Sequence, residues 1–236
     1  MKKIGIDARF YGPKGKGLGR YAQKLIEYLE KTDGNSERTY YVFLKKENFN
    51  QYVPRHENFI KVLADFNWYS FSEQFVFPFF LNKFDLDLMH FCHFNVPIFY
   101  RKRFVVTIHD LILFHYPTVR NTTLNRYYYF FKLLCYKWTI KSAAKRADSV
   151  IAVSEFTKDD VIKNLGLKSS KVEMTHEGSD FKCYVTYKNA EEILKKYGII
   201  KPYLIYVGNA YPHKNLERLV VAYKKIKKEN PDLSLV

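Results

Sequence analysis

Between positions 203 and 216 the chain reads Tyr203-Leu-Ile-Tyr-Val-Gly208-Asn-Ala-Tyr-Pro212-His213-Lys214-Asn215-Leu216. This is a β-branched and aromatic run, a glycine turn, two basic residues and the start of a helical pattern. A helix N-terminus offers backbone N–H groups, and Lys214 adds a cation, so the segment suits a diphosphate. A second turn, DARFYGPKGKGLGRY from Asp7 to Tyr21, sets Gly12, Gly15, Gly17 and Gly19 between a strand and a helix. Without Cβ atoms such a turn can approach a ligand closely and aim N–H groups at a phosphate or a sugar hydroxyl. It reads equally as a flexible surface turn. The spacing is neither the dinucleotide pattern G-x-G-x-x-G nor a Walker loop. Third, His109-Asp110 closes the apolar run Phe104–Ile108. A lone histidine there is a capping or core group, or a ligand contact; its place at a strand end points to the second.

The elements that must hold these residues alternate. Strands are expected at Lys3–Asp7, Tyr40–Lys45, Phe59–Leu63, Asp87–His90, Phe104–His109, Ser149–Val153 and Lys171–Thr175. Helices are expected at Leu18–Lys31, Phe71–Leu81 (interrupted by Pro78), Leu124–Ala147 (one helix or two) and Glu155–Leu165. Such alternation implies a mostly parallel sheet with helices on both faces, whose ligands sit beyond the C-terminal strand ends. Asp180–Lys188 is polar, without periodicity, and reads as a linker. A second domain follows: helix Ala190–Tyr197 ended by Gly198, strand Tyr203–Val207, helix Leu216–Glu229 and strand Leu233–Val236. The expected boundaries are 1–182 and 183–236, the second piece being too short to finish a domain.

The chain has 236 residues, 47% of them apolar, with 20 Tyr and 20 Phe, enough to bury a core. A formal charge of +15 favours phosphates, nucleic acid or an anionic membrane. The basic residues are dispersed and no helix-turn-helix or zinc-finger spacing accompanies them, so a nucleic-acid-binding α/β module is a remote reading. Cys92, Cys135 and Cys183 are far apart and read as reduced thiols of a cytoplasmic protein. No signal peptide and no membrane-length apolar run is found. Arg120–Lys145 interleaves aromatic and basic residues. It either lies at an anionic membrane surface or packs an aromatic face on the sheet. His90, His93 and His109 lack the further ligands of a metal site, and no metal is expected.

The ordered motifs resemble glycosyltransferase family 4, the retaining GT-B enzymes. Gly17-Leu-Gly19-Arg20-Tyr21 is similar to the family's N-terminal turn. Thr107-Ile-His109-Asp110-Leu111 is similar to its strand-end His-Asp, and Ala147-Asp148-Ser-Val-Ile-Ala-Val-Ser154-Glu-Phe to its "ad.viavS.f" segment. His176-Glu-Gly178-Ser-Asp180 resembles "nGvD", and Val207-Gly208 to Leu216 resembles "vG...p.KNl".

The resemblance implies an α/β fold of GT-B type: a Rossmann-like N-terminal domain with a parallel sheet, plus the start of a second Rossmann-like domain. It implies transfer of a hexose such as mannose from a nucleotide-sugar donor to a glycan or lipid-linked acceptor. No cofactor beyond the nucleotide-sugar co-substrate is implied. By the same resemblance His109 touches the donor sugar and Lys214 stabilises the leaving diphosphate. Gly17, Gly19, Arg20, His93, Asp110, Ser154, Gly208, Asn209 and His213 line the donor or acceptor sites, though a serine at position 154 is most simply a helix N-cap. Family members often carry arginine where this chain has Asn209 and His213. Their paired glutamates seven residues apart have no counterpart before Val236. The chain alone is therefore expected to be inactive. The parent would act in cell-surface polysaccharide or glycolipid synthesis, in the cytoplasm or peripherally at the inner face of the plasma membrane. The alternative is a non-catalytic acceptor-binding subunit that pairs with a separate donor-binding chain.

Overall fold

The computed structural model describes residues 1–117, 125–178 and 189–236. The chain divides into two compact units, Met1–Leu111 with Tyr127–Glu177, and Ile112–Arg126 with Gly178–Val236. The expected linker Asp180–Lys188, the end of the HEGSD motif and Cys183 lie outside the described residues.

In the first unit the strands are β1 (Lys3–Asp7), β2 (Thr39–Leu44), β3 (Phe59–Leu63), β4 (Leu88–Phe91), β5 (Phe104–Ile108), β6 (Ser149–Ala152) and β7 (Val172–Met174). They form one sheet in the order β3-β2-β1-β4-β5-β6-β7. Every pairing is parallel, with Ile6 opposite Val42 on one side and His90 on the other. The interior strands are near-continuous apolar runs because helices cover both faces. Val42, Leu44, Met89, Val106, Ile108, Val150 and Ala152 are all buried. The edge strand β3 instead exposes Ile60 and Leu63. The strand order reverses between β1 and β4, the switch point beyond whose C-terminal strand ends sheets of this kind place their ligand crevice.

Five helices complete this unit: α1 (Lys16–Asp33), α2 (Phe71–Phe75), α3 (Phe77–Asn82), α5 (Arg126–Arg146) and α6 (Glu155–Leu165). A short α4 (Ile112–His115), which the periodicity does not reveal, belongs to the second unit. The expected helix over Phe71–Leu81 is two helices that meet at Val76. Pro78 falls in the first turn of α3, where a missing N–H costs nothing, so the break precedes the proline. The expected strand Asp87–His90 runs one residue further, to Phe91, which places His90 inside the strand.

In the second unit α7 (Ala190–Lys196) precedes β8 (Tyr203–Leu204). A one-turn 3-10 helix (Pro212–Lys214), α8 (Leu216–Glu229) and β9 (Ser234–Leu235) follow. The strand β8 is shorter than the expected Tyr203–Val207 because its parallel partner β9 pairs only with Tyr203 and Leu204. One further bond, from Tyr206 N to Val236 O, extends beyond the ladder. Among the described residues no helix is long and apolar enough to cross a membrane.

Candidate functional site

The crevice floor begins where β1 ends. Asp7 accepts two bonds from Arg9, Nε to Oδ1 and Nη2 to Oδ2, both at 2.8 Å. Arg9 Nη1 lies 2.9 Å from Glu73 Oε1. All three side chains are buried. The guanidinium also stands 4.0 Å from the ring of Trp68 and 4.2 Å from that of Phe77. Glu73 Oε2 accepts from Tyr69 N and from Asn95 Nδ2, each at 2.7 Å. Burial pushes the Glu73 carboxyl upward, against the pull of Arg9. A buried charge is tolerated only when paired and hydrogen-bonded in this way. The network pins the segment after β1 to α2 and to the loop after β4. The buried Asn48 amide adds bonds to the carbonyls of Arg9 and Tyr11 at 3.1 and 3.0 Å.

Upon this floor sits the glycine turn. α1 starts at Lys16, earlier than the expected Leu18, so Gly17 and Gly19 lie in its first turn and not in a preceding loop. Gly12 holds the turn with φ 92°, a left-handed conformation that glycine adopts freely. Gly19 is buried, and a Cβ there would strike the carbonyls of Gly12 and Phe10. Its missing side chain serves the chain's own packing. Gly17 is exposed, with nothing within 4 Å of a Cβ built on it. The first-turn N–H groups and exposed Arg20 thus border open space at Gly17.

His109 follows β5 directly. Its Nε2 donates to the Cys92 carbonyl at 3.1 Å, and its Nδ1 lies 3.1 Å from Glu177 Oε1. The Tyr21 ring meets it edge-on with centroids 4.8 Å apart. Below, Thr107 Oγ1 is shared by the Tyr21 hydroxyl at 3.0 Å and His90 Nε2 at 2.8 Å. Burial, reinforced by His109, brings His90 down to about 4. Burial likewise brings His93 down to about 3. Both are therefore neutral rings at physiological pH. His93 packs edge-on against Phe10 with centroids 5.2 Å apart. Asp110 is exposed beside His109.

Ser154 caps α6. Its Oγ accepts from Thr157 N at 3.1 Å, while Thr157 Oγ1 donates to the His109 carbonyl at 3.1 Å. The cap therefore also fixes the backbone of His109. The first unit thus gathers His109, His93, Tyr21 and the α6 cap with the glycine turn at one set of strand ends. Among its described residues no group of three or more His, Cys, Asp or Glu is disposed to hold a metal ion.

The second unit holds the rest. Gly208 and Asn209 are exposed in a turn closed by the Tyr206 hydroxyl, which donates to Asn209 O at 3.0 Å. Lys214 is exposed at the end of the 3-10 turn, two residues before α8, with Asn215 left-handed between them (φ 54°). His213 stacks on Tyr211 with centroids 5.7 Å apart.

Sequence reasoning missed the Asp7–Arg9–Glu73 network. Its only signal was two acids and an arginine in otherwise apolar surroundings. It also missed Glu177, which was visible only as part of a motif.

Residues 15–182 match the sequence model of Glycosyltransferase Family 4. Over 169 residues the chain is 22% identical to the O-antigen chain mannosyltransferase RfbU of Salmonella typhimurium, covering 72% of this chain and 41% of that protein. Among solved structures, Anabaena HepE in complex with UDP and glucose superposes with a TM-score of 0.60 at 15% identity. That match covers 100% of this chain and 60% of HepE. A glycosyltransferase from Rickettsia africae gives a TM-score of 0.48 at 13% identity, with 100% and 67% covered. The chain thus spans 41% of the length of the first relative and 60% of HepE. The parallel sheet and the likeness to HepE establish an α/β fold of GT-B type with a Rossmann-like N-terminal domain.

Proposed function

The chain belongs to Glycosyltransferase Family 4, and we propose that the protein transfers a hexose from a nucleotide-sugar donor to a glycan or lipid-linked acceptor. Transfer retains the anomeric configuration, needs no metal or other cofactor, and serves cell-surface polysaccharide or glycolipid synthesis. One observation carries the reading: a half-buried histidine, His109, stands at the C-terminal strand ends with both ring nitrogens in hydrogen-bonding contact. In this reading the glycosidic C–O bond to the diphosphate breaks and the nucleoside diphosphate departs. The acceptor hydroxyl oxygen bonds to the anomeric carbon, and its proton leaves with the phosphate or to solvent. His109 contacts the donor sugar, while Lys214 offsets charge growing on the leaving diphosphate. Mannose is the first sugar to test, because the Salmonella relative is a mannosyltransferase.

The reading extends to peripheral attachment at the cytoplasmic face of an anionic membrane. Its support is α5. Tyr127, Phe131, Leu134 and Trp138 recur at i, i+4, i+7 and i+11, and all are more than half exposed. Exposed Lys132, Lys141 and Lys145 lie on the same helix. Large exposed aromatics beside lysines are the pattern of an interfacial helix. In its C-terminal half α5 instead buries the aliphatic side chains of Ile140, Ala143 and Ala144, and Tyr136 meets Phe94 edge-on.

The test is a transfer assay on the full-length parent protein with GDP-, UDP- and dTDP-linked hexoses and a bacterial lipid extract. The expected result is acceptor-dependent release of one nucleoside diphosphate, with a product of unchanged anomeric configuration. Absence of transfer from every donor, or an inverted product, overturns the proposal. Sedimentation with vesicles of pure phosphatidylcholine or with added phosphatidylglycerol tests attachment. Equal, negligible binding to both removes it.

A further inference from the structure

Away from the His109 cluster, a cleft of about 440 Å³ lies between α1 and the segment following β2. Its lining includes Tyr11, Gln23, Glu27, Glu30, Gln51 and Tyr52. Gln23, Glu27 and Glu30 recur at i, i+4 and i+7, so the cleft follows α1 for about two turns, roughly 10 Å. One end is Tyr11, in the loop after β1, whose N–H bonds to Ala8 O at 2.8 Å. The cleft therefore borders the loop that leaves the C-terminal end of β1.

The walls are rigid and polar. Glu30 is buried, and its Oε1 accepts from the Tyr52 hydroxyl and from Arg55 N, both at 2.9 Å. The Tyr11 and Tyr52 rings pack with centroids 5.5 Å apart. Hydrogen bonds from Lys24 and then Lys31 hold the Glu27 carboxyl at about 2, so it is ionised. Val53 and Pro54 supply an apolar lip. Half-buried Gln23 makes no hydrogen bond through its side chain among the described residues, so its amide is available to a guest.

The charge balance selects the guest. In a chain of formal charge +15, this lining carries two carboxylates against the single guanidinium of Arg55. With Lys24 and Lys31 tied to Glu27, Arg55 is, among the described residues, the one cation this lining leaves to a diphosphate, too few to clamp it. A neutral polyhydroxylated ligand meets the Glu27 carboxylate, the Gln23 amide and the half-buried Tyr11 ring. We infer that this cleft is a saccharide subsite, holding non-reacting sugar residues of the acceptor while its reacting end lies at the crevice. The inference rests on the glycosyl-transfer reading for the word acceptor, but not for the binding of sugar.

The test is saturation-transfer NMR on the chain with three probes: mannotriose, maltotriose and chitotriose. Gln23→Trp fills the cleft, and Gln23→Ala removes the amide alone. The expected result is saturation of at least one trisaccharide. Gln23→Trp should weaken it by about 10-fold or more, Gln23→Ala by less, with unchanged thermal midpoints and unchanged UDP or GDP binding. Saturation of none of the three, or saturation indifferent to Gln23→Trp, overturns the subsite. The two proposals fail separately. Sugar binding that depends on Gln23, without transfer from any donor, sinks the catalytic reading and leaves the subsite. Transfer whose acceptor KM ignores Gln23→Trp does the reverse.

Discussion

The Tyr21 hydroxyl lies 3.0 Å from Thr107 Oγ1, joining the first helix to the fifth strand directly beneath His109. The Tyr21 ring also meets the His109 ring edge-on. One side chain thus sets both the approach of α1 to the sheet and the wall of the histidine pocket. Burial, first, and neighbouring Cys92, next, raise the Tyr21 phenol, so it stays protonated as a donor. Tyr21→Phe keeps the ring and removes only the hydroxyl. Thr107 retains its His90 partner, so the expected loss is about 1 kcal/mol in urea unfolding with unchanged m. A loss above roughly 3 kcal/mol would show that the hydroxyl does more than this bond.

Arg9 carries a larger effect. Replacing it with methionine keeps the stem volume and leaves Asp7 and Glu73 buried without their cation. The expected cost is about 3–5 kcal/mol, read as a drop in thermal or urea midpoint. Adding Glu73→Gln to Arg9→Met should recover part of that loss, because one stranded charge disappears. Strict additivity of the two substitutions contradicts the network.

The neutral histidines make stability depend on pH. Unfolded, the rings of His90 and His93 take up protons near 6.5; folded, only near about 4 and about 3. Between those limits the unfolded chain binds more protons, so stability is present at neutral pH and is lost as pH falls below 6.5. The loss is complete for His90 near about 4 and for His93 near about 3. Glu73, raised by burial, contributes in the opposite sense above 4.5. From pH 6.5 to pH 5 each histidine contributes a loss of about 2 kcal/mol. Urea midpoints across that range check the slope, and His90→Gln should flatten it.

Much of this architecture was readable because the physics is local. Lys3–Asp7, Phe59–Leu63, Glu155–Leu165 and Leu216–Glu229 fall where apolar periodicity and caps put them. Ser154 caps its helix as serine chemistry leads one to expect. The strand-end position of His109 likewise followed from sheet logic. What escaped was set by tertiary contacts. Arg9 and Glu73 are 64 positions apart, and no spacing rule pairs them. The early start of α1 escaped because Gly17 and Gly19 are poor helix formers. Here the carbonyls of Gly12 and Phe10 demand a glycine at 19, and packing outweighs propensity.

Lys214 is exposed, and among the described residues its side chain makes no bond that the fold would miss. Lys214→Ala should leave the unfolding midpoint within about 0.5 kcal/mol of the parent. If it neutralises the leaving diphosphate, kcat should fall by about 100-fold, with Lys214→Arg recovering part of the rate. An unchanged kcat removes that role.

Gly17 separates folding from function more sharply. Its neighbour in the same helical turn, Gly19, tolerates no Cβ, so Gly19→Ala must push apart the Gly12 and Phe10 carbonyls and destabilise the unit. Gly17 has open space around it, and its backbone is helical. Gly17→Ala should therefore stabilise the chain by about 0.5–1 kcal/mol, because alanine loses less backbone freedom in a helix. The open space at Gly17 leaves room for a second task. If that task is close approach of substrate to the first-turn N–H groups, Gly17→Ala should raise the thermal midpoint while raising the KM for donor or acceptor. A stabilised variant with parent-like KM values for both substrates would assign Gly17 no part in the site.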